Sequence, residues 1–244
     1  MNRISIIIPV LNEAETIKRL LHHLIDHSSV STIAEIIVVD GGSADSTKDI
    51  VNTFIAGHES SKSNDTLSTN IILLDSPKGR AKQMNTGAKM ATANILYFLH
   101  ADSFPPNRYD QLIINEIEKD NPAGCFRLQF DSNHWWLRLA SWLTQFSWRA
   151  CRGGDQSQFI TKKLFNTIGG FDETYVIYED NVLINALYAR KQFVVINKKI
   201  QTSSRLYQKH GVWKLQYHFW TIYVKKWFGA SADELLGYYK KYIS

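Results

Sequence analysis

Two short runs carry the groups best suited to chemistry: His100-Ala101-Asp102 and Glu179-Asp180. The first closes an apolar run, Ile95-Leu96-Tyr97-Phe98-Leu99, whose lack of polar alternation predicts a strand buried on both faces. A sheet holds the residues at such a strand end still, and the loop beyond opens to solvent, so the pair suits a metal ion or a phosphate. An Asp there fits Mg2+ or Mn2+, hard cations that often keep one or two carboxylates and fill the remaining positions with phosphate oxygens. A plain polar turn before Pro105-Pro106 is the competing reading. Glu179-Asp180 opens an amphipathic helix, where two acids favour the helix dipole, so they serve either as a cap or as a general base. A third acid, Asp40, ends Glu35-Ile36-Ile37-Val38-Val39 and can accept hydrogen bonds from a base N–H or a ribose hydroxyl. Lys78, Arg80 and Lys82 add positive charge in a turn and helix start.

The elements that must position these groups alternate along the chain. Ile4 to Val10 is a strand rich in β-branched residues, and Ile17, Leu20, Leu21, Leu24 and Ile25 follow at helical spacing. Glu35 to Asp40 is a second strand. Gly41-Gly42-Ser43 turns, and Ser43 or Asp45 caps a helix through Ile55. Ala56 to Thr69 is polar and predicted as a surface loop. Asn70 to Leu74 is a third strand, Ala81 to Ala93 a helix, and the run ending at Leu99 the fourth strand. Four strand–helix alternations in about 100 residues predict an α/β fold, a mostly parallel sheet with helices on both faces. Ligands of such sheets sit beyond the carboxyl ends of the strands.

Farther on, helices are predicted at Asn107 to Lys119, from Glu179 through Arg190, at His210 to Phe228 and at Asp233 to Tyr242. Strands are predicted at Cys125 to Phe130, Ser157 to Thr161 and, briefly, Phe193 to Ile196. The turn after the first strand, Pro9-Val10-Leu11-Asn12-Glu13, holds no glycine, and no P-loop pattern occurs, which argues against NAD or ATP bound in those ways.

Five stretches together resemble the family 2 glycosyltransferases with the GT-A fold. They are Ser5 to Glu13, Val38 to Thr47, Asn85-Thr86-Gly87-Ala88, Leu96 to Asp102, and Glu179-Asp180. Gly79 to Asn85, Leu99 to Asp102, Gly154-Asp155-Gln156 and Thr202 to Arg205 are similar, more closely, to the radical-SAM/selenodomain-associated subgroup. The resemblance covers nearly the whole chain and implies sugar transfer from a nucleotide-sugar to a hydroxyl acceptor with inversion at the anomeric carbon. It implies that Asp180, beside Glu179, is the catalytic base. Donor contacts would come from Pro9, Leu11, Asn12, Glu13, Asp40, Gly42, Ser43, Arg80, Gln83, Asn85, His100 and Ala101. Asp102 would be the last acid of the family's Asp-x-Asp metal motif. His100 stands where the first acid belongs; imidazole suits softer metals than Mg2+, so His100 is either a second ligand or a contact to sugar or phosphate. Asp155, Gln156 and Arg205 fall to the acceptor side. A sugar-nucleotide pyrophosphorylase would need a Gly-rich N-terminal signature that is missing; a non-catalytic interaction protein is the other alternative.

At 244 residues, 44% apolar and 21% charged, the chain fits a globular protein with a sizeable core. The expected division is a glycosyltransferase domain over 1–204, nucleotide-binding over 1–102 and acceptor-binding over 103–204, followed by basic aromatic helices over 205–244. Residues 189–244 hold eleven Lys/Arg against two Asp/Glu, on a mildly acidic body. All seven tryptophans fall in two places, and Trp213, Tyr217, Trp220, Val224 and Trp227 share one helix face. These helices either pack on each other or rest in a membrane interface, which would suit a lipid-linked acceptor. A lipid surface rather than nucleic acid is the expected anionic partner. Cys125 and Cys151 form neither a metal spacing nor a disulfide framework, and no signal or membrane-spanning run is present. The expected location is the cytoplasm, with peripheral placement on the inner face of the cell membrane if the aromatic helices meet lipid.

Overall fold

The computed structural model describes residues 2–29, 31–60 and 69–243. β1 (Ile4–Val10) and β2 (Ile33–Asp40) are runs of Ile and Val that pair in parallel. β3 (Asn70–Asp75) adds outside β2, and β4 (Ile95–Phe98) lies on the other side of β1, both parallel. α1 (Ile17–Asp26), α2 (Thr47–Ser60) and α3 (Arg80–Met90) connect them. The alternation of side chains along β1 divides the core. Ile6 and Ile8 face a cluster with α1, and Ile7 faces one with Met84 and Ala88 of α3.

The chain continues through β5 (Ser103–Phe104), α4 (Tyr109–Glu118), β6 (Ala123–Phe130), α5 (Trp135–Leu143), β7 (Gln158–Thr161), α6 (Lys162–Ile168), α7 (Glu179–Ala189) and β8 (Val194–Thr202). It ends in α8 (Arg205–His210), α9 (Val212–Trp227) and α10 (Ala232–Tyr242). The eight-stranded sheet has the order β3-β2-β1-β4-β7-β6-β8-β5. β7 runs antiparallel to β4, with Gln158 opposite Phe98, so the turn before β7 arrives at the edge where β1 to β4 end. β6 is antiparallel to β7 and parallel to β8, so β8 delivers Thr202 and then Arg205 to that edge.

Three expectations change. α2 extends through Ser60, so residues 56–60 are helix rather than loop; the Phe54–His58 ring stack and the His58 bond to the Thr69 carbonyl hold its last turns. Of the rest of that expected loop, 61–68 lies outside the described residues. β8 runs through Thr202 rather than stopping at Ile196, because pairing with β6 and β5 carries its polar Lys198 and Lys199 into the strand. The helix expected over 210–228 is α9, and a short helix not expected, α8, precedes it; the two part at Gly211, whose φ of 83° is one glycine adopts without strain. Among the described residues no helix is long and apolar enough to cross a membrane.

α3 lies unusually close to the sheet. A Cβ on Gly87 would come within 2.5 Å of Ile7 Cγ2. One turn earlier, Gln83 Nε2 donates to the carbonyls of Val10 and Val39, both at 2.8 Å, tying α3 to two strand ends. Gln83→Leu should remove one bond from each carbonyl, the Gly41 N–H still serving that of Val10, and cost about 1–3 kcal/mol. Urea unfolding followed by circular dichroism checks this; an unchanged midpoint would show that these bonds add nothing.

Candidate active site

The edge where the parallel strands end gathers residues from seven parts of the chain. Asn12 turns the chain after β1 with φ 57°, a left-handed conformation Asn tolerates. Its N–H donates to Ser43 Oγ at 2.9 Å, and its Oδ1 accepts from Ala44 N at 2.8 Å, clamping the first two strand-end loops together. Asp40 is fully buried. Its Oδ2 accepts from the N–H groups of Gly42 and Ser43 at 2.8 and 2.9 Å. Its Oδ1 has no hydrogen-bond partner among the described residues, a leftover acceptor at the strand end.

His100 and Asp102 follow β4. His100 sits between two acids, Nδ1 3.9 Å from Asp155 Oδ1 and Nε2 3.9 Å from Asp180 Oδ2. Burial, helped by the Arg80 charge, lowers its pKa to about 3, so the imidazole is neutral and neither contact is an ion pair. Asp102 is pushed up to about 6 by burial and by Asp155, with Arg205 opposing. Arg205 Nε lies 3.5 Å from Asp102 Oδ2. The same guanidinium forks onto Glu13, with Nη1 at 2.9 Å from Oε2 and Nη2 bonded to Oε1. Arg205 therefore joins the first and fourth strand ends, although the sequence set it on the acceptor side.

Asp180 and Glu179 enter on the first turn of α7, behind Tyr178 in a left-handed conformation, φ 74°. Arg80, at the start of α3, reaches both: Nη1 is 3.3 Å from Glu179 Oε1 and 3.7 Å from Asp180 Oδ2. Burial raises both carboxyl pKa values; Glu179 adds to the rise at Asp180, and Arg80 opposes it at each. Glu179 is 1% exposed and sealed from any substrate, whereas Asp180 keeps an opening. Gly154 explains how Asp180 fits: a Cβ there would fall 2.0 Å from Asp180 Oδ2 and 3.2 Å from His100 Cε1. Only a bare backbone can pass so near the carboxylate.

Several expected contacts are spent elsewhere. Gln83, placed among the donor contacts, bonds two strand carbonyls instead. Asn85 bonds the backbone of Phe171 and the carboxylate of Glu173, fixing the turn ahead of α7. Ala101 turns its methyl into the core. Gln156, expected on the acceptor side, is inside: its Oε1 accepts from Arg152 at 2.7 Å, and its Nε2 donates to the Cys151 carbonyl at 2.6 Å. Pro9 and Leu11 are half-buried beside the clamp, and Gly42 is exposed. Arg152 was not foreseen. Buried at 2% exposure, it also donates to the carbonyls of Thr144 and Phe146 and so anchors the loop that carries Asp155. Nothing in the local sequence marks an arginine as an internal anchor.

Among the described residues no three His, Cys, Asp or Glu side chains converge as a metal cage. The donor set nevertheless suits a hard divalent cation. Asp102 is a carboxylate whose bare charge burial and acidic neighbours disfavour, which a cation would relieve; the imidazole of His100, neutral here, is the softer donor of the two.

The fold is one already seen in glycosyltransferases. Staphylococcus aureus TarS, solved with UDP, superposes with a TM-score of 0.62 at 16% identity, over 82% of this chain and 60% of that one. The mannosyltransferase PcManGT from Pyrobaculum calidifontis, solved with GDP-Man and Mn2+, gives 0.64 at 18% identity, over 98% and 63%. This is the GT-A architecture, a curled, mostly parallel sheet flanked by helices. Residues 5–184 match the pattern of glycosyl transferase family 2, and the chain belongs to that family. "Glycosyltransferase AglE" of Haloferax volcanii is 32% identical over 106 residues, 43% of this chain and 32% of that protein. "Probable glycosyltransferase YdaM" of Bacillus subtilis is 25% identical over 205 residues, 76% and 46%. The matched part is thus about a third of the first relative's length and just under half of the second's.

Proposed function

We propose that the chain transfers a sugar from a nucleotide-diphosphate sugar to a hydroxyl acceptor, with inversion. The observation that carries this reading is the presence at one sheet edge of two separate carboxylates, Asp102 after β4, held against Arg205, and Asp180 at the start of α7, 3.9 Å from His100 Nε2. An inverting displacement needs a base on the attacking side of the reacting carbon and, on the leaving side, a carboxylate to hold the neutralising cation. The nucleoside lies over Asp40, whose leftover Oδ1 supports that role, and over the clamped loops of Asn12, Glu13, Gly42 and Ser43. Asp102, with His100 beside it, would hold a divalent cation, which supplies neutralisation of the charge on the departing diphosphate. Asp180 Oδ2 takes the proton of the acceptor hydroxyl as that oxygen bonds the anomeric carbon. The bond from that carbon to the diphosphate oxygen breaks, and the diphosphate leaves with the electron pair. Glu179 takes no proton from substrate; it holds Arg80, which orients Asp180.

The likeness to proteins solved with UDP and with GDP-Man and Mn2+ supports a nucleotide-sugar donor and a divalent cation. The closer kinship to the radical-SAM/selenodomain-associated subgroup is part of the same proposal. It is supported by Gly79 to Asn85, His100 to Asp102, Gly154 to Gln156 and Thr202 to Arg205 all belonging to the elements that build this edge. The division at residues 204/205 and a lipid-linked acceptor remain proposals of the same kind.

Thermal unfolding with UDP, GDP, dTDP and CDP sugars, each with and without Mn2+ or Mg2+, tests the reading. A donor at ~100 times its Kd adds about 2.7 kcal/mol of stability. One base should stabilise only with the cation, and Asp102→Asn should lose that shift while melting normally by itself. A cation-independent shift, or one retained in Asp102→Asn, would remove the metal role. No shift with any sugar would remove the donor site.

A further inference from the structure

We propose that the outer faces of α5 and α9 dock the protein on an anionic phospholipid bilayer. The apolar stripe of α9 does not pack inward. Leu215, His218 and Ile222 form its buried face, against a cluster that includes Leu235 of α10. Trp213, Tyr217, Trp220, Val224 and Trp227 face out, each about half exposed or more, with Trp227 at 86%. Phe228 is 85% exposed beside it. Of this stripe, Trp213 and Trp220 meet Trp136 of α5 at ring distances of 5.3 and 5.8 Å.

α5 presents a second outward row one turn apart, Trp135, Leu139 and Trp142, and Trp135 joins it to the first by lying 5.6 Å from Trp213. Two exposed aromatic rows joined at Trp135 and Trp213 mark a docking surface rather than an ordinary solvent face. Tryptophan, with an apolar ring and one N–H, is the residue best suited to the headgroup boundary of a membrane.

Charge selects the occupant. Leu139 and Trp142 also line a cavity of about 840 Å3 into which Arg127, Arg138 and Lys199 bring three cations. Arg127 keeps its Nε buried with no hydrogen-bond partner among the described residues. The one acid in the lining, Asp131, accepts from Ser204 N–H. Such a basic recess beside exposed indoles matches the phosphate of an anionic headgroup with its acyl chains beyond. A second copy of the chain fits less well, because a two-fold contact would set this basic surface against itself. The docking face also neighbours the cleft along the chain: α8 leads from Arg205 to Gly211, where α9 begins.

The test needs no substrate, so its failure is separate from failure of the proposed transfer. The full chain is sedimented with phosphatidylcholine vesicles, with and without phosphatidylglycerol, at low and high salt. Expected is about tenfold or greater preference for the anionic vesicles, weakened by salt. The triple variant Tyr217→Ala/Trp227→Ala/Phe228→Ala should lose binding about tenfold or more at an unchanged melting temperature, since all three side chains are mostly exposed. Arg138→Glu should remove the anionic preference alone. No binding to any vesicle, or binding unchanged in the triple variant, overturns the proposal. So does a dimer by light scattering that the triple variant disperses, which would make the face a contact between copies.

Discussion

Asp180→Asn should leave a folded protein that transfers sugar about 10²–10⁴-fold more slowly. The substitution keeps the shape of the side chain and its place beside the backbone of Gly154. It removes the oxygen that would take the acceptor's proton. The loss should fall on kcat more than on KM, because the missing interaction belongs to the transition state. Stability should not fall with it. Burial and the charge of Glu179 raise the Asp180 pKa, so the folded chain binds that proton more tightly than the unfolded chain does. Ionising Asp180 therefore costs stability as pH rises from its ordinary value through its raised one, and Asn removes that cost. The variant should melt at the same temperature or higher at neutral pH. The wild-type rate should rise with pH along a limb above the ordinary carboxylate range, and the residual rate of the variant should lack that limb. Steady-state kinetics across pH, with calorimetry on both proteins, checks each point. Wild-type activity in the variant would remove Asp180 from the chemistry.

Gly154→Ala should cost about 100-fold in activity although alanine brings no new chemistry. Its Cβ would sit 2.0 Å from Asp180 Oδ2 and 2.7 Å from Cγ, distances no structure tolerates. Either the carboxylate turns aside or the short 3-10 turn at Gly154–Gln156 shifts, and Asp155 with it. Both displace groups flanking His100 by an ångström or more. Gly153→Ala is the matched control. Nothing lies within 4 Å of a Cβ there, and its extended φ of −161° suits any residue, so activity should be unchanged. Equal activity in the two variants would show that close packing of Gly154 on Asp180 does not set the rate.

The pairing of these two predictions shows where sequence and structure divide. Asp180 was legible from its position, two acids opening an amphipathic helix, and from the motif around it. Gly154 was legible only as part of a turn, because its value depends on a carboxylate 26 residues away in the chain. Arg205 shows the same limit: its charge was plain, but its fork onto Glu13 and contact with Asp102 exist only because β8 returns to the edge where β1 and β4 end. Gln83 and Asn85 show the limit from the opposite direction, since polar residues within a motif gave no sign that their amide N–H groups were committed to backbone carbonyls.

The sequence by itself determined the first four strands, their helices and the edge on which Asp40, His100 and Asp102 lie. Local patterns carry that information: unbroken Ile and Val runs, helical spacing of Leu, and acids where each run stops. The tertiary structure alone decided which acid is open and which is sealed, which polar groups were free for a ligand, and that the indole stripe of α9 faces outward. A helix with one apolar and one mixed face can be turned either way. Here Leu215 and Ile222, packing with Leu235 of α10, chose the burial, and the tryptophans were left outside.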